Sequence, residues 1–234
     1  AVSMVLPYLN NYKGEIIILC GDTPLITEDT LKEFIQKHRE MNSDLTVMSA
    51  IVENPTNYGR IIRNTNGRLN SIVEEKDTTD EQKKVNEINA GIYCLNWEKI
   101  KQAFKELTSN NAQGEYYLTD IVEWANKKSL NVNAYILKDN TEIFGINSKI
   151  NLAEATKLLN QKILKKLMTN GVSIVSPETT WISPETEIGQ DTIIYPSTYI
   201  EGKNHIGSHC KIGPFTHIRG NVTTEDYVKI GNFV

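Results

Sequence analysis

The residues best suited to chemistry are polar ones at interruptions of apolar runs. Asp22 is the first. It follows Glu15-Ile-Ile-Ile-Leu-Cys-Gly21, in which residues 16–20 are apolar without a break. A short run of that kind, stopped by glycine, reads as a buried strand, and Pro24 forbids its continuation. In open α/β sheets the ligand crevice lies beyond the carboxyl ends of strands. A carboxylate there can hold a cation and, through it, a phosphate; it can equally order a turn. Glu74 ends another strand-like run and reads as an exposed carboxylate or a pocket residue. Gly59, immediately before a strand, reads as a turn glycine. Asn89 interrupts a strand-like stretch, where a buried amide needs partners and can bond a sugar as readily as a neighbouring backbone. Asn147 precedes a long helix and suits its N-cap. Glu115 suits the dipole of the helix it is expected to open.

The elements that must position these residues alternate in type. Strands are expected at 15–20, 44–53, 60–63, 68–73, 85–95 and 132–137, with Asn66-Gly67 turning the third into the fourth. Helices are expected at about 28–41, 97–107, 115–128 and 148–169, with residues 1–10 as the remnant of another. Thr27 suits the N-cap of the first full helix, with Glu28 and Asp29 in its opening turn. Leu31, Phe34, Ile35 and His38 share one face of it, so His38 reads as a helix-edge residue. The polar stretch to about Lys84 reads as a solvated loop. Asn170-Gly171 stops the long helix. Alternation of this kind implies an α/β domain.

The period then changes. Ile182, Ile188, Ile194, Ile200, Ile206, Ile212 and Ile218 recur at every sixth position, and the row resumes at Ile230. Six fits neither a helix nor a heptad; it fits hexapeptide repeats, each forming one flat side of a parallel β-helix coil with isoleucines stacked inward. His205, His209 and His217 then fall at different positions on the coils, which argues against a shared metal. The organisation expected is an incomplete α/β domain over 1–147, a linker helix over 148–170 and an incomplete β-helix over 171–234.

Bulk properties exclude several classes. The 234 residues carry a net charge of −4 with 39% hydrophobic and 23% charged residues. That balance argues against nonspecific nucleic-acid binding. No apolar run approaches the roughly 20 residues of a membrane span, and no signal peptide is recognisable. Cys20, Cys94 and Cys210 are far apart and without ligand spacing, as expected of reduced thiols in the cytoplasm. Val2, Val5, Leu6 and Leu9 open the chain in mid-pattern and Gly231-Asn-Phe-Val234 closes it inside a repeat, so a fragment of a longer protein is expected.

Cys20-Gly-Asp-Thr-Pro-Leu-Ile26, Tyr58-Gly-Arg-Ile61, Ile72-Val-Glu-Glu-Lys-Asp77, Glu87-Ile-Asn-Ala-Gly-Ile92, Asn110-Asn-Ala-Gln-Gly-Glu-Tyr-Tyr-Leu-Thr-Asp120 and Gly145-Ile-Asn147 occur in this order. Together they resemble the bacterial bifunctional N-acetylglucosamine-1-phosphate uridyltransferase / glucosamine-1-phosphate acetyltransferase family over nearly the whole chain. The long run to Asp120 is the specific part; other sugar nucleotidyltransferases share only the Gly-Asp motif. The resemblance implies a Rossmann-like nucleotidyltransferase domain followed by a left-handed β-helix that trimerises. It implies synthesis of UDP-N-acetylglucosamine from UTP and N-acetylglucosamine 1-phosphate, with Asp22 and Asn147 as ligands of a catalytic Mg²⁺. Gly59, Glu74 and Asn89 then line the sugar side, and Cys20 and Gly21 border the nucleotide. Mg²⁺ is suited to few protein oxygens beside substrate phosphates. In the intact family, acetyl-CoA and glucosamine 1-phosphate are further substrates, and Arg219 matches a sugar-phosphate-binding arginine, although Gly220 stands where proline is usual.

Two departures set further expectations. The family's glycine-rich triphosphate loop precedes the segment matching Ala1, so weak or absent uridyltransfer is expected of the chain as given. Its acetyltransfer histidine lies beyond the segment matching Val234. The rival readings are a β-helix that serves only to trimerise and a nucleotidyltransferase for another sugar phosphate.

Overall fold

The computed structural model describes residues 2–109 and 111–234. The residues of the chain divide into two compact units, one ending at Gly145 and the other spanning Ile146–Val234.

The first unit is a mixed sheet covered on both faces. Its strands are β1 (Glu15–Ile18), β2 (Leu45–Ile51), β3 (Arg60–Arg63), β4 (Leu69–Val73), β5 (Glu87–Asn96) and β6 (Val132–Ile136), and its helices are α1 (Glu28–Glu40), α2 (Asp80–Lys83), α3 (Trp97–Ile100), α4 (Ala103–Glu106) and α5 (Asp120–Lys127). The sheet runs β4-β3-β5-β2-β6, and β1 pairs with β5. Strand β2 shows why both faces are buried. Side chains alternate across a strand, and Leu45 and Val47 enter one apolar cluster with Trp97, Ile121 and Val122. Met48 and Ala50 enter the other with Phe34, Ile92 and Tyr135.

The long β5 organises the sheet. One of its edges takes β2 along most of its length. The other is shared: β3 meets it at Arg60↔Ile88, and β1 meets it from Glu15↔Asn96 to Ile18↔Tyr93. Between those two partners lies Gly91, with φ +74°, a backbone state that glycine adopts without penalty. The register against β2 also slips there, from Val47↔Tyr93 to Ser49↔Asn89, so β5 carries extra residues as a bulge.

Several expectations need correction. Strand β1 stops at Ile18 and is half-buried throughout, because its pairing is with β5 alone among the described residues. The opening segment is a 3₁₀ helix over Val2–Leu9 with Pro7 inside it; Ala1 lies outside the described residues. The helix expected over 97–107 is two short ones, α3 and α4. The polar loop to Lys84 contains α2, which the Thr79–Gln82 capping box closes reciprocally. Glu115 stands outside α5, which begins at Asp120. His38 is a buried core residue whose Nδ1 lies 2.8 Å from Thr46 Oγ1. Thr27 does cap α1, accepting from the Thr30 amide.

The second unit begins with α6 (Lys149–Thr169), whose N-cap is Ser148 rather than Asn147. A parallel β-solenoid of about three turns follows. One face stacks β7 (Ser173–Ile174), β10 (Ile193–Ile194), β13 (Lys211–Ile212) and β15 (Lys229–Ile230). The next stacks β8 (Trp181–Ile182), β11 (Tyr199–Ile200) and β14 (His217–Ile218), and the last pairs β9 (Glu187–Ile188) with β12 (His205–Ile206). Ile182, Ile194, Ile200, Ile206, Ile212 and Ile218 are all buried. A second ladder lies two residues before each isoleucine: Thr180, Thr186, Thr192, Thr198, Asn204, Cys210 and Thr216 are buried as well.

Candidate sugar-side site at the strand ends

Cys20, Gly59, Glu74 and Asn89 come together where β3, β4 and β5 end or bend. The Gly59 carbonyl accepts the Asn89 amide N–H at 2.8 Å. A Cβ at Gly59 would lie 3.3 Å from Glu74 Oε2 and 3.1 Å from Ile72 Cγ2. A side chain at 59 would therefore crowd the Ile72 and Glu74 side chains, a constraint beyond the turn expected there. Glu74 Oε1 accepts from the Thr119 hydroxyl at 3.1 Å.

The Asn89 side chain is held at both ends. Its Oδ1 accepts the Gly91 N–H at 2.9 Å and its Nδ2 donates to the Tyr93 hydroxyl at 2.9 Å. An amide has two N–H donors and two acceptor lone pairs, so one of each stays open among the described residues. On the far side of the bulge the Cys20 thiol donates to the Gly91 carbonyl at 3.3 Å. Hydrogen bonds thus join Cys20, Gly91, Asn89 and Gly59 in one path, and Glu74 with Thr119 forms a separate pair beside Gly59.

Electrostatics distinguish these residues. Burial raises the Glu74 carboxyl above the usual carboxylate range; the Thr119 hydroxyl opposes this and the nearby Asp120 and Asp77 charges add to it. Burial raises Asp120 too, with Glu123 and Asp77 contributing. Burial, with the Asp22 carboxylate second, holds the Cys20 thiol up, so it is a poor nucleophile at neutral pH. The buried Tyr93 hydroxyl is raised by desolvation and stays protonated. The path offers fixed donors and acceptors rather than an activated nucleophile.

Asp22 stands apart from this path. It lies in the turn after β1, exposed, and its carboxylate has no hydrogen bond or ion pair among the described residues. A Cβ on Gly21 beside it would meet nothing within 4 Å. Among the described residues no group of three or more His, Cys, Asp or Glu could hold a metal ion. A single unneutralised carboxylate in open space does fit Mg²⁺, which binds by one or two carboxylates plus substrate phosphates.

Asn147 belongs to the second unit. It is exposed, its backbone N–H donates to Asn151 Oδ1 at 3.4 Å, and its side-chain amide has no partner among the described residues. Arg219 follows β14, exposed and likewise without an ion pair among the described residues. His205, His209 and His217 each face a carboxylate: Glu187 at 3.3 Å, Asp191 at 3.9 Å and Glu201 at 3.1 Å. They sit in different places on the solenoid and share no site.

Three participants escape sequence reasoning. Tyr93 reads as an ordinary strand aromatic, Thr119 as part of a longer run, and Arg60 as a strand charge. Thr119 meets Glu74 from 45 residues away, while Tyr93 and Arg60 bond near neighbours whose roles no local pattern marks. Asn110, the first residue of the specific run, lies outside the described residues.

Comparison with known proteins places the chain in context. A family model described as nucleotidyl transferase matches residues 1–181. The bifunctional protein GlmU of Acetivibrio thermocellus is 45% identical over 198 residues, covering 85% of this chain and 43% of that protein. The proteins of the same name from Geobacillus thermodenitrificans and Bacillus subtilis are 44% and 41% identical over 198 residues, again covering 85% of this chain and 43% of each. The chain thus spans less than half the length of these relatives. A solved structure of CMP:2-keto-3-deoxy-manno-octonic acid synthetase complexed with CTP aligns over 68% of each chain with 12% identity and a TM-score of 0.47.

Proposed function

The chain belongs to the nucleotidyl transferase family, and from that premise we propose that it joins UTP to N-acetylglucosamine 1-phosphate, forming UDP-N-acetylglucosamine and pyrophosphate. The observation that carries this reading is the convergence of Gly59, Glu74 and Asn89, with one Asn89 donor and one acceptor left over. Identity of 41–45% to relatives named bifunctional protein GlmU supports the choice of sugar and nucleotide.

In this reading Asn89 and the Gly59 backbone hold the sugar, and Glu74 accepts from one of its hydroxyls. Cys20 and Gly21 border the nucleotide, where the absence of a side chain at 21 leaves room for it. An oxygen of the sugar phosphate attacks the α-phosphorus of UTP in line. The α–β anhydride bond breaks and its electron pair leaves with pyrophosphate. Orientation of the two substrates lowers the barrier, and no covalent enzyme intermediate is needed. Asp22 is the proposed protein ligand of Mg²⁺, which when bound would supply charge compensation to the phosphates; Asn147 is proposed as a ligand on the family resemblance alone. Arg219 is the second unit's candidate for a sugar phosphate, and the solenoid its candidate for homotrimer assembly, both on the same ground. A cytoplasmic setting agrees with free Cys20, Cys94 and Cys210.

The test is pyrophosphate release from UTP by the 234-residue chain. The expected result is weak, Mg²⁺-dependent release that requires N-acetylglucosamine 1-phosphate and falls by a further factor of about 10² or more in Asp22→Ala, the scale seen when a group that stabilises developing charge is removed. Equal use of glucose 1-phosphate, or turnover indifferent to Asp22→Ala, would contradict the proposal.

A further inference from the structure

Arg60 is 2% exposed, yet its guanidinium is incompletely satisfied. Nη2 donates to Glu75 Oε2 at 2.6 Å, Nη1 donates to the Tyr58 carbonyl, and Nε has no partner among the described residues. Removing a charge from water is costly, and a buried ion pair repays that only with good geometry and full hydrogen bonding. A buried N–H left unmade adds to the cost. The arrangement is therefore a poor device for stability alone.

Its placement suggests another use. Tyr58 is the residue before Gly59, and Glu75 is the residue after Glu74. Arg60 begins β3, where it is in register with Val73 of β4 and Ile88 of β5. One guanidinium thus grips the backbone on one side of Gly59 and the side chain next to Glu74. Gly59 and Glu74 are neighbours at the sugar-side site, close enough that a side chain at 59 would crowd the Glu74 carboxylate. The planar fork of arginine fixes two directions at once, which the single ammonium of lysine does not.

We propose that the Arg60–Glu75 pair is the positioning element of this site: it sets the Gly59 carbonyl against Asn89 and the Glu74 carboxylate against Gly59, and so determines affinity for the sugar phosphate. Arg60 touches no substrate in this scheme. The inference rests on the reading of Gly59, Glu74 and Asn89 as the sugar side of the pocket.

The variants for the test are Glu75→Ala, which removes the grip at a half-buried position, and Glu75→Gln, which keeps an acceptor of the same length. Calorimetric titration of the full chain with N-acetylglucosamine 1-phosphate, well below each variant's Tm, is paired with amide hydrogen exchange at Asn89, whose N–H bonds Gly59. The expected result for Glu75→Ala is about tenfold weaker sugar-phosphate binding and about tenfold faster exchange at Asn89. Exchange at Leu95, at the other end of β5, and affinity for UTP should stay unchanged. Glu75→Gln should recover most of the lost affinity. A lower Tm with unchanged sugar-phosphate affinity, or exchange that speeds equally at Asn89 and Leu95, overturns the proposal and leaves the pair purely structural. If the parent chain itself takes up no N-acetylglucosamine 1-phosphate, the functional reading fails first, and the positioning role falls with it.

Discussion

The two units solve the burial of polar groups in opposite ways. In the solenoid, each buried polar side chain meets a partner of its own or the adjoining coil. Thr192 Oγ1 donates to the Gly207 carbonyl at 2.8 Å and accepts the Cys210 amide at 3.0 Å. Asn204 accepts the Val222 amide at 3.1 Å and donates to Thr186 Oγ1 at 3.0 Å. In the α/β unit, Cys20 and Glu74 are partnered across long sequence separations and the Asn89 side chain within four residues, and part of their capacity stays open. Asn89 keeps a donor and an acceptor, and Glu74 stays raised by burial. A satisfied polar ladder is scaffold; a half-satisfied one at interrupted strands is where a ligand completes the hydrogen bonding.

Substitutions can break or sharpen this contrast. The largest stability loss is expected in the solenoid's apolar ladder. Ile206→Ala removes a side chain with 0% exposure and should cost about 2–5 kcal/mol. Urea unfolding would read this as a lower midpoint for the second unit, with affinity for N-acetylglucosamine 1-phosphate unchanged. Loss of that affinity would end the separation of scaffold from site.

Gly91→Ala comes next. It forces a side chain into φ +74° and puts its Cβ 2.5 Å from Cys20 Sγ. Strain of that type costs about 1–3 kcal/mol. Because Gly91 holds both Asn89 Oδ1 and the Cys20 thiol, sugar-phosphate affinity should fall as well. Adding Cys20→Ala should relieve the clash but not the backbone strain, so recovery in thermal unfolding should be partial. Full recovery would show that the left-handed backbone carries no cost there.

Thr192→Val is a smaller scaffold change. It keeps the shape but strands the buried Cys210 amide, at an expected cost of about 1–3 kcal/mol. Thr192→Ser should be milder, because it keeps the hydroxyl. Equal losses for valine and serine would mean that the methyl group, not the hydrogen bond, matters.

The smallest effect concerns pH. The Glu74 carboxyl is raised in the folded chain, so the folded state holds this proton more tightly than the unfolded state. That contribution to stability is complete below the unfolded value and is lost as pH rises through the folded one. Glu74→Gln should remove this dependence, so variant and parent should diverge toward higher pH in thermal unfolding, with the parent the weaker. Parallel curves would show that Glu74 is as solvated as an ordinary surface carboxylate.

The same contrast explains how much was legible in the sequence. The isoleucine row predicts the solenoid because one rule repeats, and each buried isoleucine obeys it. The companion ladder of Thr180 to Thr216 obeys the same period, but its residue types ordinarily mark turns, so period alone must reveal it. In the α/β unit the strand runs are readable because apolar residues cover both faces of the sheet. The break between α3 and α4 is not, since Trp97, Ile100, Ala103 and Phe104 keep one buried face across it. Gly59, Glu74 and Asn89 stand out because each interrupts a pattern. Tyr93, Thr119 and Arg60 fit their local patterns, and only the fold shows what they hold.

Titration of the 234-residue chain with UDP-N-acetylglucosamine in the presence of Mg²⁺, beside Asn89→Ala, tests the central claim most directly. The prediction is saturable one-site binding by the parent, weakened about tenfold or more in Asn89→Ala, where the amide's open donor and acceptor are lost. Undiminished binding by Asn89→Ala, or none by the parent, would contradict the assignment of the strand-end cluster as the sugar side of a nucleotidyl transferase site.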